Sequence, residues 1–378
     1  MEFKFPRTFG QNEARESLRQ TLTQGRFPHA LLVHGEPGLG QHALLLDLAQ
    51  ILACESKTER ACGKCFPCKA FESASLESVH YLIPLVKKEK AKDSDDEESD
   101  LNSAQIEELS GLIKVWHEEP YAFGVEEKAK VHVAQTSELL GRLGYAGDRS
   151  KVRIVLIPYL EDLVPAAANK LLKTLEEPAA NVYFLIASDN RAALLPTLLS
   201  RCLHLGLTPL SSAEFRETAA TLSSRIGIPL SVRLLPFAEG SPGVYLDLLN
   251  NGGEDLLEES AKFLAAITAS DWRVFADYTG QGSAVEDLEE STRLLHFLLR
   301  CIRLYQSLKA AHSNLSQALK NEGWDASLSN YLTPLEHIAD LPAFATYLQT
   351  AFQAIKGYSK PQIALLGLFL EYDAKVHR

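Results

Sequence analysis

The chain has 378 residues, of which 46% are hydrophobic, and a formal net charge of −11 at pH 7. This length is too great for one ordinary domain, so we expect two or three. Binding nucleic acid over a broad surface needs clustered Lys and Arg, so the acidic balance leaves room only for a local basic patch. No apolar run is long enough for a membrane helix, and the N-terminus lacks the apolar stretch of a signal peptide. We therefore expect a cytoplasmic protein.

The first 210 residues alternate strand-like and helix-like segments. Short apolar runs between turn signals predict three buried strands, at 30–34, 152–157 and 182–187. A helix is predicted at 166–175, and Pro178 follows it as a helix breaker. Strands that alternate with helices indicate an α/β domain whose parallel sheet is covered on both faces.

Two segments interrupt this pattern, and the pattern itself ends before the last third of the chain. Residues 87–100 contain four Lys and seven acidic residues, which predicts a solvated insertion without a catalytic role. Residues 103–150 have a helical pattern. From about Ser211 strand signals end, and Asn251-Gly252-Gly253 marks a break between helical segments. The predicted domains are an α/β domain at 1–208, a small helical domain at 209–252 and a helical bundle at 253–378.

The turn after the first predicted strand has the context of a G-x-x-x-x-G-K-[ST] phosphate loop. Gly35, Gly38 and Gly40 stand where such a loop cradles phosphates with its backbone. Gln41 replaces the Lys that would reach the β- and γ-phosphates, and His42 replaces the Ser or Thr that would ligate Mg²⁺. A neutral amide does not offset phosphoryl charge, and Mg²⁺ prefers oxygen to imidazole. The loop is predicted to survive as a strand-to-helix turn, with nucleotide binding without turnover as the alternative.

The second predicted strand lacks the acidic pair that a P-loop enzyme carries at its end. One acidic residue would hold Mg²⁺ and the other would activate water. This strand ends instead at Pro158-Tyr159, and Glu161 and Asp162 fall beyond it, where a helix is expected to begin. The loss of this pair together with the loop Lys predicts that the chain does not hydrolyse ATP.

Four of the six cysteines, Cys54, Cys62, Cys65 and Cys68, lie within fifteen residues. In a cytoplasmic protein such a cluster indicates a metal site before it indicates disulfides. Four thiolates with no open position are typical of a structural, tetrahedral Zn²⁺ site. The alternatives are reduced surface cysteines and an iron–sulfur ligand set, which the upstream position of the fourth cysteine fits poorly. Cys301 is isolated and is expected to be a small buried side chain.

These residues resemble the AAA+ subunits of the bacterial clamp loader, the DNA polymerase III complex that places the sliding clamp on primed DNA. The matching motifs are, in chain order, Phe9-Gly10-Gln11, Pro28-His29-Ala30-Leu31-Leu32, the four cysteines, the run ANKLLKTLEEP that ends at Pro178, and Leu199-Ser200-Arg201-Cys202. The resemblance covers the first 210 residues firmly and the remainder loosely. It implies an AAA+ parallel-sheet domain with a zinc module, then a small helical lid domain and a C-terminal helical collar domain.

The resemblance also implies roles for individual residues. Motor subunits of this family keep the loop Lys and the acidic pair, so their loss here implies the family's non-hydrolysing member. Pro242 and Gly243 occupy the region where motor subunits place a nucleotide-sensing Arg. In this family the Arg of Ser-Arg-Cys, here Arg201, projects across the subunit interface toward ATP bound by the neighbour, where a guanidinium stabilises transition-state charge. Ser188 stands where active members carry a polar sensor and is expected to be vestigial.

The implied partners are the motor (gamma/tau) subunits and the delta subunit, with the sliding clamp and primed DNA reached through the complex and no membrane contact. The chain is then not an enzyme on its own and has structural zinc as its cofactor. Two alternatives stay open. An ATPase with an unusual phosphate loop would turn over ATP as a purified chain. A zinc-dependent nucleic-acid-binding module would bind DNA in a salt-sensitive way, which the net charge disfavours.

Overall fold

The structure is a computed structural model, and it describes residues 1–86, 101–126, 128–144, 152–269, 272–279, 287–312, 314–357 and 359–376. The predicted acidic insertion at 87–100 lies outside these residues. The chain divides into two compact units, Met1–Thr218 with Ser241–Val244, and Ala219–Gly240 with Tyr245–Arg378. The predicted division into three domains stays a prediction. In the part of the chain that is described, no helix is long and apolar enough to cross a membrane.

The first unit is an α/β domain, as predicted. Its strands are β1 (Glu2–Phe3), β2 (Ala30–His34), β3 (Glu59–Arg60), β4 (Val79–Tyr81), β5 (Arg153–Ile157), β6 (Val182–Ser188) and β7 (Leu203–Gly206). Its helices are α1 (Asn12–Thr23), α2 (Gln41–Ala53), α3 (Phe66–Glu72), α4 (Ser103–Glu118), α5 (Val133–Gly144), α6 (Pro165–Glu176) and α7 (Pro196–Leu199). The three predicted strands and the predicted helix at 166–175 are confirmed to within one residue at each end.

Five of these strands form one parallel sheet in the order β4-β5-β6-β2-β7, and β1 pairs with β3 in a separate two-stranded ribbon. The register places His34, at the end of β2, beside Ser188 of β6 and Gly206 of β7. The carboxyl ends of the central strands therefore meet at one edge, which is where ligands bind in open parallel sheets. The phosphate-loop-like turn leaves this same edge.

Apolar side chains cover both faces of the sheet because alternate residues of each strand point to opposite faces. In β2, Leu31 and Val33 belong to one core cluster, whereas Ala30 and Leu32 belong to the other. The first cluster includes most apolar residues of α2, and the second includes those of α6. Residues Gln41–Ile51 are all buried, so α2 is a central helix of the unit.

The sequence did not predict β4 and β7, which are the two edge strands of the sheet. β4 has three residues, and Leu203 at the start of β7 is exposed. Edge strands are often short and partly solvated, so they lack the continuous apolar run that revealed the central strands.

The described residues beyond β7 form helices and no strands, as predicted. The helices are α8 (Ser212–Ile226), α9 (Pro242–Asn250), α10 (Gly253–Thr268), α11 (Trp272–Tyr278), α12 (Leu288–Ala311), α13 (Leu315–Asn321), α14 (Ser329–Leu332), α15 (Leu341–Lys356) and α16 (Pro361–Val376). In the second unit, α12 packs against α10 and α15, and its residues Leu294, Leu295, Leu298 and Ile302 are buried. Cys301 on the same helix is also buried, as expected.

Candidate functional site

The turn between β2 and α2 keeps the backbone form of a phosphate loop. Gly38 has a φ of +80° and Gly40, the residue that caps α2, has a φ of +106°. Side chains other than glycine are strained in this region, so both positions require glycine. The turn therefore has the backbone conformation that such a loop needs, although Gln41 and His42 stand where a phosphate loop carries Lys and Ser or Thr.

Gln41 is used inside the unit instead of pointing at a ligand. Its Nε2 donates hydrogen bonds to the backbone oxygen of Glu36 at 2.7 Å and to Oδ1 of Asp189 at 3.0 Å. Burial, together with the nearby charges of Glu161 and Asp162, raises the pKa of Asp189 to about 7. The amide thus ties the loop to the end of β6, which is a structural use of the position that Lys would occupy in an active loop.

His42 is a core residue. Its Nε2 lies 3.1 Å from the backbone oxygen of Pro158, and because a carbonyl only accepts, this nitrogen carries the proton. The imidazole packs edge-on against the rings of Trp116, Phe123 and Tyr159, with centroid distances of 4.7 to 6.0 Å. Burial lowers the pKa of His42 to about 4, so the ring is neutral at pH 7.

The buried His42 predicts a specific loss of stability in mild acid. Its pKa is about 4 in the folded chain and about 6.5 when unfolded. The unfolded state therefore binds more protons between these values, and stability is complete above pH 6.5 and falls as the pH decreases toward 4. We expect His42 to account for about 2 kcal/mol of the drop in the free energy of unfolding between pH 7 and pH 5.

Denaturant unfolding of the parent chain and of His42→Gln at both pH values measures this contribution. The Gln variant keeps a donor for Pro158 and does not titrate, so its drop should be smaller by that amount. His117, whose pKa burial also lowers to about 4, keeps its own contribution in both chains. An identical pH dependence of the two chains would contradict the prediction.

Two further groups pack against the loop, the segment Ser241–Val244 and the ring of Tyr121. The backbone N–H of Gly243 donates to the oxygen of Gly38 at 2.9 Å, and the Ser241 hydroxyl donates to the oxygen of Pro37 at 3.1 Å. A Cβ atom on Gly243 would lie 2.6 Å from the Cα of Gly38, and one on Gly40 would lie 3.0 Å from the Tyr121 hydroxyl oxygen. The segment Ser241–Val244 and Tyr121 thus leave no side-chain room beside the loop.

The acidic residues after β5 also have structural partners. They lie in a 3₁₀ turn, Leu160–Asp162, beyond the strand end as expected. Glu161 accepts hydrogen bonds from the backbone N–H groups of Asp189 and Asn190 at 2.8 and 3.2 Å, and Asp162 pairs with Lys130. The Ser188 hydroxyl, the expected vestigial sensor, is buried and accepts from the N–H of Asn190 at 3.1 Å.

The four clustered cysteines come together in space near the ends of α2 and β3 and at the beginning of α3. Cys54 caps the end of α2, Cys65 precedes the first residue of α3, and Cys62 follows β3 closely. The Cys54 and Cys65 sulfurs are 3.9 Å apart, the Cys62 and Cys68 sulfurs are 4.0 Å apart, and all four lie within 4.8 Å of one another. A tetrahedral zinc–thiolate site has sulfurs about 3.8 Å apart, so this cluster has the dimensions to bind a metal ion.

The backbone around the cluster also suits metal binding. Gly63 has a φ of +68°, which lets the N–H groups of Lys64 and Cys65 turn toward the Cys62 sulfur at 3.5 and 3.4 Å. The hydrogen bonds from Cys65 and Lys64 lower the pKa of Cys62 to about 6 and favour its thiolate. Burial raises the pKa of the Cys68 thiol, so a thiolate there requires a nearby cation.

Arg201 lies at the surface between α7 and β7, and 27% of its side chain is exposed. Its Nη1 donates to the backbone oxygen of Thr197 at 2.6 Å, and its Nε donates to Oε1 of Glu176 at 2.8 Å. Nη2 donates to the same carboxylate oxygen. Glu176 is the last residue of α6, the helix that carries the run ANKLLKTLEEP.

The loop, the cysteines and Arg201 are recognisable in the sequence, whereas the partners of the loop and of Arg201 are not. Tyr121, Asp189 and Glu176 contact these residues from segments far away in the chain. Glu176 belongs to a motif that the sequence had singled out, which was a signal. Tyr121 and Asp189 follow no recognisable spacing.

Comparison with known proteins identifies the family. The family model described as "DNA polymerase III, delta subunit" matches residues 10–211, more than half of the chain. The delta′ subunit of DNA polymerase III from Haemophilus influenzae is 28% identical over 225 residues, which are 56% of each chain. The delta′ subunit from Escherichia coli K12 is 28% identical over 324 residues, which are 84% of this chain and 81% of the relative.

A second kind of relative extends these matches. The tau subunit of DNA polymerase III from Escherichia coli K12 is 25% identical over 351 residues, covering 88% of this chain but 44% of the relative. The matched part thus spans about half the length of the Haemophilus influenzae and tau relatives. The chain therefore belongs to the DNA polymerase III delta subunit family, as one of its clamp-loader delta-prime subunits.

Proposed function

We propose that this chain is a non-hydrolysing subunit that completes the clamp-loader ring and supplies Arg201 in trans to the ATP site of a neighbouring motor subunit. The observation that carries the proposal is the contrast between two parts of the first unit. Gln41 and His42 are committed to internal contacts at the loop, whereas Arg201 lies at the surface with a fork geometry that suits phosphate.

Reconstitution tests this proposal. The purified chain should have no ATPase activity. Mixed with motor (gamma/tau) and delta subunits, it should form a ring that loads the sliding clamp on primed DNA in an ATP-dependent reaction. Omitting the chain should abolish loading, and a complex that loads the clamp equally well without it would overturn the proposal. Contact with the clamp and primed DNA then occurs through the complex.

The absence of hydrolysis is proposed to depend on more than the replacement of two side chains at Gln41 and His42. We expect the double variant Gln41→Lys with His42→Thr to remain inactive as a purified chain, because β5 still ends at Pro158-Tyr159 without an acidic pair and Ser241–Val244 and Tyr121 still contact the loop. Removing the buried imidazole should also lower the free energy of unfolding by about 2–4 kcal/mol.

ATP turnover and denaturant unfolding of the double variant are the two measurements. Gln41→Lys alone serves as a control for the effect of charge at the loop. Turnover above that of the parent chain would contradict the prediction and would revive the alternative of an ATPase with an unusual loop.

The cysteine cluster is proposed to hold one structural Zn²⁺ through Cys54, Cys62, Cys65 and Cys68. Four protein thiolates leave no open position for a substrate or for an activated water. The metal would cross-link the end of α2 to the start of α3 and to the β1–β3 ribbon, and it would take no part in a reaction.

The remaining assignments follow from family membership and stay proposals. They are an AAA+ domain at 1–208, a lid at 209–252, a collar at 253–378 that joins the subunits of the ring, and a cytoplasmic location. The vestigial phosphate loop with Gly35, Gly38 and Gly40 is proposed to bind no nucleotide, because other groups of the chain already pack against it.

A further inference from the structure

Glu176 holds the guanidinium of Arg201 in the structure of the single chain. We infer that Glu176 is a positioning residue that restrains Arg201 until the phosphate of a neighbour's ATP displaces its carboxylate. This inference rests on the proposed function of Arg201 as a residue that acts in trans. The inference adds Glu176 as a residue that controls when the guanidinium of Arg201 can bind the phosphate.

The contacts of Arg201 occupy the fork formed by its Nε and Nη2. A guanidinium has five N–H groups. One on Nε and one on Nη2 are directed at a single oxygen of Glu176, and one on Nη1 is directed at the backbone oxygen of Thr197. The Ser200 hydroxyl lies 3.4 Å from Nη1 as well. The N–H groups without one of these three contacts are one on Nη1 and one on Nη2, so binding of a phosphate through the fork of Nε and Nη2 requires the Glu176 contact to break.

The carboxylate is the contact that a phosphate would replace. Carboxylate and phosphate are both anions that match the planar fork of Arg, so they compete for the same N–H groups. The backbone oxygen of Thr197 is neutral and is held within the short helix α7, so it orients the side chain without opposing its charge. Glu176 neutralises the charge, and that charge is what an arginine acting in trans must deliver.

The exchange is energetically easy because the pair is partly solvated. About half of the Glu176 side chain, 48%, is exposed, so its carboxylate can turn into water when Arg201 leaves. No buried charge is left unpaired by this step. Exposed ion pairs of this kind shift an equilibrium by about two- to fivefold. A shift of this size reduces the fraction of complexes in which Arg201 is free to bind phosphate, but it does not prevent that binding.

The test compares ATP hydrolysis by reconstituted complexes that carry Glu176→Gln, Glu177→Gln or the parent chain. Glu177 is the adjacent acidic residue, so Glu177→Gln removes the same charge next to Glu176. The backbone N–H of Glu177 caps α6 by donating to the oxygen of Lys173, and the substitution leaves this contact in place. We expect Glu176→Gln to lower the apparent KM for ATP and to raise turnover without DNA, each by about two- to fivefold. The kcat with clamp and primed DNA should change by less than about twofold, because Glu176 is already displaced in that state. Glu177→Gln should resemble the parent.

Glu176→Gln in an Arg201→Ala background distinguishes the proposed role of Arg201 in trans from the proposed restraint by Glu176. If Arg201→Ala leaves hydrolysis unchanged, the proposed function fails and this inference fails with it. If Arg201→Ala lowers hydrolysis but Glu176→Gln alters neither KM nor turnover without DNA, only this inference fails. A Glu176→Gln complex whose kcat falls as far as that of Arg201→Ala would also overturn it, because Glu176 would then support the active geometry. An effect of Glu176→Gln that persists without Arg201 would do the same.

Discussion

Arg201→Ala is expected to reduce ATP hydrolysis at the site it serves in the reconstituted complex by about two orders of magnitude or more. The reason is that a guanidinium beside the γ-phosphate stabilises charge that grows in the transition state, and such residues contribute about 10³- to 10⁵-fold in other P-loop enzymes. The steady-state rate of the whole ring, measured with clamp and primed DNA, should fall at least by the share of that one site.

Two further variants show whether the effect belongs to the fork of Arg201. Arg201→Lys keeps the charge but loses the planar donors, so it should recover only part of the rate. Arg26 is an exposed arginine in the loop before β2, and Arg26→Ala should leave the rate unchanged. Size-exclusion chromatography checks that each complex assembles. An assembled Arg201→Ala complex with the parent rate would rule out a role in trans.

The second large effect is expected at the cysteine cluster. The purified chain should contain about one equivalent of zinc and no iron. Cys62→Ser with Cys65→Ser should lose the metal and lower the free energy of unfolding by about 4 kcal/mol when free zinc exceeds the dissociation constant a thousandfold. The loss arises because the metal binds the folded cluster and cross-links α2, α3 and the β1–β3 ribbon only in that state.

Metal analysis of the intact chain and thermal unfolding with and without a chelator measure this effect. Cys301→Ala is the control, because Cys301 lies in the second unit, away from the cluster in sequence, and contacts Ser260. That variant should keep its zinc and lose only packing energy. A double Cys variant as stable as the parent in the presence of zinc would refute a structural metal.

The sheet could be predicted in part from the sequence because its central strands are buried on both faces. β2, β5 and β6 are continuous apolar runs and were predicted nearly to the residue. The edge strands β4 and β7 escaped because solvent contact removes that apolar signal. The helical character of the chain beyond Ser211 was visible in its periodicity, whereas the packing of those helices was not.

The candidate site divides in the same way. The local sequence is enough to show that Gln41 stands in place of Lys and that β5 does not end in an acidic pair. The new partners of Gln41 and His42 are not, because they come from segments that only the fold brings together, such as Asp189 and Trp116. Likewise, the resemblance assigned a role to Arg201, but its ion pair with Glu176, 25 residues away, depends on how α6 and α7 end side by side.

The aromatic surroundings of His42 bear on how such a chain can evolve. A phosphate loop with Thr at this position and a bound Mg²⁺ would need space and water where the rings of Trp116, Phe123 and Tyr159 pack. A change to such a loop would require several substitutions at once, and each alone would cost a sizeable part of the 5–15 kcal/mol by which typical domains are stable. Selection for folding would therefore oppose the substitutions Gln41→Lys and His42→Thr that a working phosphate loop needs. Under the proposed function, the packing around His42 would therefore preserve a division of labour between this subunit and the motor subunits.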